Sequence, residues 1–501
     1  MSRLIAVVGG GISGLGAARV LAGGDPVTSG LKRAMVGDSD TSEVEVVVFE
    51  SDDRFGGKIL SGEFRGRRID FGPDNFLTRN PSAADLCSLL GIGDDLLAPA
   101  TSSASVVARG RLHPMPAGLI LGLPPNMVAL ARSGIVSWPG LARAALDLLP
   151  VGKPISASSL GITQQGPGAN DLDTPEWSAA SILQRRLGKE LVERLVDPLL
   201  GGINAGGLDH LSLNVVAPQV AQALVGQQSV TRALRRMSQN KPAAPPGATT
   251  TRRPFFMGLR GGLGRMVDEL VAELADRGVK LHGATAVKSL GRSGERFELE
   301  TTGGSVVADG VVLAVPGFES ARLLVEQAPA VAAELGSIPH SSVTLVTLAW
   351  TADAIARPLH GSGFLTARCE GRIVTGCTFL SAKWPPTGAP GEVVLRASTG
   401  RYGDERPSSM TDLELVQAVV GELGELLEIA APPLASHVQR WPRAFPQYLP
   451  GHLRKVERAQ AALRELPAIA LAGPSLGGIG IPACLTTGEL AALEVLDRLN
   501  P

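Results

Sequence analysis

MSRLIAVVGGGISGLGAARVLAGG, residues 1–24, reads as strand, tight turn and helix in that order. Leu4 to Val8 is a short apolar run suited to a buried parallel strand, and Ile12 to Leu21 continues as a helix. Between them Gly9, Gly11 and Gly14 stand at the spacing G-x-G-x-x-G. Gly9 permits the sharp turn, Gly11 lets the backbone approach a pyrophosphate, and Gly14 lets the helix pack close to the strand. The helix N-terminus then faces the phosphates with unpaired N–H groups and a partial positive charge. In a chain with 61 glycines this spacing alone does not separate a nucleotide site from a plain bend.

A second stretch, EVEVVVFESDDRFGGK at 43–58, supplies another apolar strand ending in Glu50. An acid there accepts hydrogen bonds from both ribose hydroxyls and disfavours a 2′-phosphate. The acid ordinarily follows the turn by about 20 residues, and here residues 23–43, GGDPVTSGLKRAMVGDSDTSE, lengthen the gap. Glycine, serine, aspartate and threonine predict a surface insertion there, dispensable for chemistry.

With 501 residues, 44% of them hydrophobic, the chain buries large cores and is not a disordered protein. A formal net charge of −1 gives no global attraction for nucleic acid, so any anionic ligand is met by local arginines. Cys87, Cys369, Cys377 and Cys484 form no C-x-x-C pair and the seven histidines no H-E-x-x-H, which speaks against metal catalysis and a disulfide framework. Each cysteine reads as a small buried hydrophobe in a reducing compartment. The N-terminal apolar run is too short for a signal peptide, and the uncharged stretch 466–488 is broken by Pro467, Pro474 and Pro482. A cytoplasmic protein is expected. Peripheral membrane contact is left open through residues 118–150, GLILGLPPNMVALARSGIVSWPGLARAALDLLP, whose apolar positions equally suit a helical core.

Residues 81–235 read as mostly helical, including Ile182, Leu183, Leu187, Leu191 and Leu195 near helical spacing, and 241–253 as an exposed loop. Val267, Leu270, Val271 and Leu274 predict a helix stopped at Gly278; RFELETT (296–302) and SVVADGVVLAVP (305–316) predict a hairpin about Gly303 and Gly304. Residues 320–436 mix strands such as VTLVTLAW and EVVLRAS with the helical MTDLELVQAVVGELGELLEI. The last segment is again strand, glycine-rich loop and helix, the helix expected from Leu485 or Thr486. One nucleotide-binding unit at each end implies a domain assembled from separated pieces.

The stretches VVGGGISGL (7–15), FESDDRFGGK (49–58) and AGPSLGGIGIPACLTTG (472–488) together resemble the flavin amine oxidase superfamily. DFGPDNFL (70–77), LHPMPAGLILGLP (112–124) and RWPRAFPQYLPGH (440–452) resemble its oxygen-dependent porphyrinogen oxidases of heme synthesis, in the form of the bacterial coproporphyrinogen III oxidases long called protoporphyrinogen oxidases. The fold implied is α/β: a Rossmann-like FAD-binding domain in discontinuous segments (1–80, 254–319 and 437–501), an α+β substrate domain (320–436) and a mainly helical subdomain (81–235) that shares the substrate pocket.

The resemblance puts the FAD pyrophosphate at Gly9, Gly11, Ser13 and Gly14 and the ribose at Glu50. It puts the flavin near Gly56, Gly57, Lys58, Gly72, Pro73 and Asp74, and adenine beside the backbone of Val287. Gly473, Gly480, Ile481 and Pro482 would hold the isoalloxazine and ribityl chain, with Trp441 near the rings. A helix starting after Pro482 would turn its positive end to the flavin, where reduction leaves negative charge. Cys484 is expected to stay unattached, so that FAD is noncovalent. In place of the arginine that some porphyrinogen oxidases carry for a substrate propionate stands TSSASVV (101–107); Arg79, Arg109 and Arg111 are the nearby substitutes.

The implied chemistry is oxidation of coproporphyrinogen III to coproporphyrin III, with FAD reoxidised by dioxygen and hydrogen peroxide released. The cofactor carries that chemistry, which leaves the catalytic residues unnamed. Peripheral membrane contact and transfer to a ferrochelatase belong to the same implication, nucleic acid does not, and the oligomeric state is open. Protoporphyrinogen IX oxidation, an amine oxidase, a carotenoid desaturase and a noncatalytic FAD- or porphyrin-binding protein are the competing readings. Two tyrosines in the whole chain argue against an amine-oxidase aromatic cage.

Overall fold

A computed structural model describes residues 2–31, 44–149, 152–162, 176–239, 254–385, 387 and 389–499. The loop 241–253 and residues 32–43 of the insertion lie outside the described residues. The chain divides into two compact units. The first comprises Met1–Pro99, Arg253–Pro339 and Leu453–Pro501, and the second Ala100–Arg252 and His340–His452.

The first unit is built on a parallel sheet of β1 (Arg3–Val8), β2 (Val44–Phe49), β3 (Lys280–His282), β4 (Gly310–Leu313) and β5 (Ile469–Leu471), in the order β3-β2-β1-β4-β5. Ile5, Ala6 and Val7 on β1 are fully buried, as both-face burial of a central parallel strand requires. On one face α1 (Ile12–Leu21), α2 (Gly264–Asp276) and α3 (Ile481–Leu499) contribute Leu15, Leu270, Leu274 and Leu496 to one core. On the other, Phe297, Leu299, Leu324 and Leu335 form a second. In α2 the periodic residues Val267, Leu270 and Leu274 are buried as expected, Val271 is half-buried, and Gly278 takes the left-handed conformation just beyond the helix.

The structure corrects four expectations here. The apolar run 305–316 is two strands, because at Asp309 the chain leaves the hairpin Arg296–Thr301/Gly304–Ala308 and becomes β4. Asp309 fixes that change of sheet: its Oδ2 accepts from the Leu4 N–H at 2.8 Å and its own N–H donates to Leu4 O at 2.7 Å. The last helix begins at Ile481, ahead of Leu485, since proline suits a first helical turn. Cys369 is exposed, unlike Cys87, Cys377 and Cys484.

The fourth correction concerns the start of the insertion, residues 24–31, which is tied down. Buried Arg19 donates to Asp25 O at 2.6 Å and pairs with Glu273 at 3.0 Å. The buried carboxylate of Glu489 on α3 accepts from the Val27 and Thr28 N–H groups at 2.8 and 3.0 Å. Val27 itself lies in the core. These residues close the α1–α3 packing, which an ordinary surface loop does not do.

The second unit carries a seven-stranded sheet in the order Ala435–Pro446, His340–Thr351, Glu392–Thr399, Val374–Phe379, Gly363–Thr366, Ser105–Ala108 and Arg111–Pro114. Its core sets Trp350, Leu348, Leu395 and Phe364 against Leu415, Val419 and Leu423 of the helix Asp412–Leu427. That helix opens with a capping box between Thr411 and Glu414. The helical stretch is broken where periodicity suggested continuity: Ala179–Leu187 ends at Gly188 (φ +87°), and Val192–Gly201 is π-helical around Pro198. Within residues 118–150, Leu130, Ile135, Val136 and Ala144 are buried, whereas Val128, Trp138, Leu146 and Leu149 are exposed. Among the described residues no helix is long and apolar enough to cross a membrane.

Candidate functional site

The three motif glycines do separate jobs. A Cβ on Gly9 would come within 2.7 Å of Ala314 O, and one on Gly14 would run into the carbonyl oxygen of Gly9. Gly9 also adopts φ +106°, which disfavours any L side chain. These two let β1, β4 and α1 approach. Around Gly11, by contrast, an added Cβ meets nothing within 4 Å. The turn is therefore close-packed behind and open in front, the shape that a pyrophosphate cradle at a helix N-terminus needs. Ser13 is buried in the first turn of α1.

Glu50 closes this turn from β2. Its Oε2 accepts from the Gly10 N–H at 2.8 Å and its Oε1 from the Asp52 N–H at 3.0 Å and Ser51 Oγ at 3.1 Å. A carboxylate offers about four lone-pair sites, so one acceptor position remains beyond these three bonds. Gly56 donates its N–H to Gly10 O at 2.8 Å, and a Cβ on Gly57 would meet only the Gly11 Cα, at 3.3 Å. Glu50 and Gly56 are thus bonded to the turn at Gly10, and Gly57 lies beside Gly11.

Lys58 follows directly. Burial pushes its ammonium below the ordinary lysine range, with the neighbouring Cys484 sulfur acting the other way. Gly72 packs against the Lys58 carbonyl, leaving no room for a side chain. Beyond half-buried Pro73, Asp74 is buried and accepts from Asn75 Nδ2 at 2.9 Å. The Val287 carbonyl already accepts from Arg322 Nη2 at 3.0 Å.

The second strand–glycine–helix passage runs from β5 to α3. Gly473 takes φ +111° and donates its N–H to Thr487 Oγ1 at 3.0 Å. Neither Gly473 nor Gly480 has an atom nearer than 3.8 Å to an added Cβ. Ile481 and Pro482 are buried at the start of α3. Close contact of Gly488 with Ser13 and of Gly16 with Leu485 brings α1 and α3 together. Thr487 escaped the sequence reading, although a threonine six residues after Ile481, inside the helix, was the available signal. Trp441 belongs to the second unit, opposite Val343 in the strand register. Arg79, Arg109 and Arg111 are all exposed.

Among the described residues no three His, Cys, Asp or Glu side chains gather as metal ligands. A flavin's pyrophosphate, ribose and ring edge match what is present: open glycines, helix N-termini and a buried acid.

Residues 12–496 match the family described as flavin containing amine oxidoreductase. A coproporphyrinogen III oxidase of Propionibacterium freudenreichii is 34% identical, covering 98% of this chain and 90% of its own length. One from Bacillus subtilis is 31% identical over 99% and 98%. An Exiguobacterium structure assigned as a protoporphyrinogen oxidase superposes with a TM-score of 0.79 at 27% identity, with 98% of each chain covered. The cyclohexylamine oxidase of Brevibacterium oxydans shares the fold, with a TM-score of 0.66 at 18% identity over the whole of both chains. The chain belongs to the flavin containing amine oxidoreductase family.

Proposed function

We propose that this chain oxidises coproporphyrinogen III to coproporphyrin III with dioxygen, releasing hydrogen peroxide. Similarity to coproporphyrinogen III oxidases along nearly the whole chain carries this reading. Noncovalent FAD is the cofactor, its pyrophosphate over Gly9, Gly11, Ser13 and Gly14 and its ribose at Glu50. The flavin lies by Gly56, Gly57, Lys58, Gly72, Pro73, Asp74, Gly473, Gly480, Ile481, Pro482 and Trp441, with the adenine by Val287. Bound flavin supplies a two-electron acceptor that dioxygen can regenerate.

The chain's own task is to bind, orient and tune. The open face at Gly11 admits the phosphates, and the α1 N-terminus offers them N–H donors. At the start of α3 the helix end places partial positive charge where a reduced ring carries negative charge. Half-buried Lys58 adds an amine nearby. Cys484 is unsuited to covalent attachment: burial pushes its thiol up to about 11, so the nucleophilic thiolate is scarce at neutral pH.

An aerobic assay following porphyrin fluorescence and peroxide from coproporphyrinogen III tests the reading. Protoporphyrinogen IX is the second reading, favoured by the Arabidopsis thaliana protoporphyrinogen oxidase at 27% identity over 99% of this chain. The substrates differ in charge, four propionates against two. Comparing kcat/KM for both measures the discrimination directly, and an equal or higher value for protoporphyrinogen IX overturns the first choice. Contact with a membrane, when it occurs, is assigned to exposed Val128, Trp138, Leu146 and Leu149, and co-sedimentation with anionic vesicles tests it. Product transfer to a ferrochelatase fits the same reading.

A further inference from the structure

A substrate with four propionates presents carboxylates that need either water or a cation, since burying an unpaired carboxylate is costly. The three arginines nearest TSSASVV in sequence are exposed. Arg109 sits at a hairpin turn with φ +56°, its N–H and that of Gly110 held by Glu370.

Arg401, in the second unit, is different. It follows the strand Glu392–Thr399 after Gly400, whose φ is +81° and where a Cβ would approach Ser342 O to 2.7 Å. It opens a turn in which the Asp404 N–H donates to Arg401 O at 2.9 Å. Arg401 is 8% exposed, yet among the described residues its guanidinium donates no hydrogen bond. Its nearest acid, Asp404, stands 3.9 Å from Nε, beyond hydrogen-bond reach.

That acid is already committed. Arg406 clamps Asp404 through Nε at 2.8 Å and Nη2 at 2.7 Å. Asp197, on the π-helical segment Val192–Gly201, acts on Arg401 only through its field, and its Oδ1 accepts from the Leu208 N–H at 2.8 Å. Arg368 adds a second positive charge that acts on Arg401 and pairs with exposed Asp209 at 2.6 Å. A guanidinium carries five donors in a planar fork that suits a carboxylate. With no protein acceptor on these donors among the described residues, a ligand carboxylate can take the fork directly.

We propose that Arg401, with Arg368 beside it, is the cation that receives one carboxylate of the porphyrinogen substrate. Burial pushes the neighbouring Asp197 carboxyl above the ordinary aspartate range, while the Leu208 N–H, Arg368 and Arg401 act the other way. The proposal rests on the porphyrinogen reading of the chain.

The probes are coproporphyrin III and its tetramethyl ester in mild detergent, titrated against the FAD-loaded protein by porphyrin fluorescence. Arg401→Met is expected to weaken the tetra-acid by about tenfold or more and the ester by less than twofold. With coproporphyrinogen III as substrate, KM should rise while kcat holds. Equal affinity of wild type and Arg401→Met for the tetra-acid overturns the proposal, as does equal weakening of acid and ester, which marks a structural role. If Arg401→Met does not accumulate folded, Arg401→Lys carries the test: the acid should bind several-fold more weakly and the ester unchanged, and an unchanged acid affinity overturns the assignment. Binding of the tetra-acid without oxidation of coproporphyrinogen III sinks the functional reading and leaves the Arg401 result standing.

Discussion

In the turn after β1, a Cβ placed on Gly9 or Gly10 lands 2.7 Å from Ala314 O and 2.5 Å from Phe55 Cδ1, and on Gly14 it overlaps Gly9 O. In the passage from β5 to α3, the same atom on Gly473 or Gly480 meets only Val315 O at 3.9 Å or Pro482 Cδ at 3.8 Å. Both passages run strand, glycine, helix, yet the first spends Gly9, Gly10 and Gly14 on close packing, whereas the second leaves Gly473, Gly477 and Gly480 open and crowds only Gly478, where a Cβ would stand 2.7 Å from Ala483 Cβ. The regular G-x-G-x-x-G spacing is therefore chiefly a record of strand–helix approach, with Gly11 as its open member. The irregular second passage is less constrained by packing, which explains why its helix start was misplaced from sequence.

Gly14→Ala should break the comparison most severely. Its methyl has to displace the backbone of Gly9, a cost of about 3 kcal/mol or more. A fall in melting temperature together with lost flavin absorbance is expected, and an unchanged melting temperature would show that the turn yields. Glu489→Ala comes next, because it removes two charge-assisted bonds to the Val27 and Thr28 N–H groups inside a core, worth about 2–3 kcal/mol. Excising 32–43 while keeping 24–31 should leave urea midpoint and flavin content unchanged. If Glu489→Ala is silent, the start of the insertion is not the clamp described.

Gly11→Ala and Gly480→Ala probe the open positions. Neither methyl meets a close neighbour, so the apo-protein melting temperature should hold while FAD affinity drops about tenfold, equivalent to about 1.4 kcal/mol. Equal FAD retention after dialysis would place the cofactor elsewhere.

The contrast between packed and open glycines also explains what was legible in the sequence. α2 could be read because Val267, Leu270 and Leu274 encode burial within one helix. The switch at Asp309 could not, since it depends on a bond to Leu4 from the far side of the chain's first half. The turn itself was readable at Gly9, Gly14 and Glu50, where packing and a bond to the Gly10 N–H demand particular residue types. Arg401 was not: nothing local reveals that Arg406 takes Asp404 and leaves its neighbour without an acceptor.

The smallest effect is expected at Cys484, where two influences oppose. A helix N-terminus lowers a thiol pKa and so favours the thiolate. Burial removes the solvent that a thiolate needs, and it prevails, pushing the Cys484 thiol up to about 11 although Ser13 and Lys58 act downward. Below that value the thiol is the dominant form, and the reactive fraction rises about tenfold per pH unit. Partial burial, with Glu370 and Glu193, pushes the Cys369 thiol up as well, but Cys369 is exposed where the other three are buried. Iodoacetamide on the native protein at pH 8 should therefore label Cys369 first and leave Cys87, Cys377 and Cys484 unmodified, with activity retained, as peptide mass mapping would record. Labelling of Cys484 as fast as Cys369 would mean that the helix end outweighs burial, and would reopen Cys484 as a point of covalent attachment for the flavin.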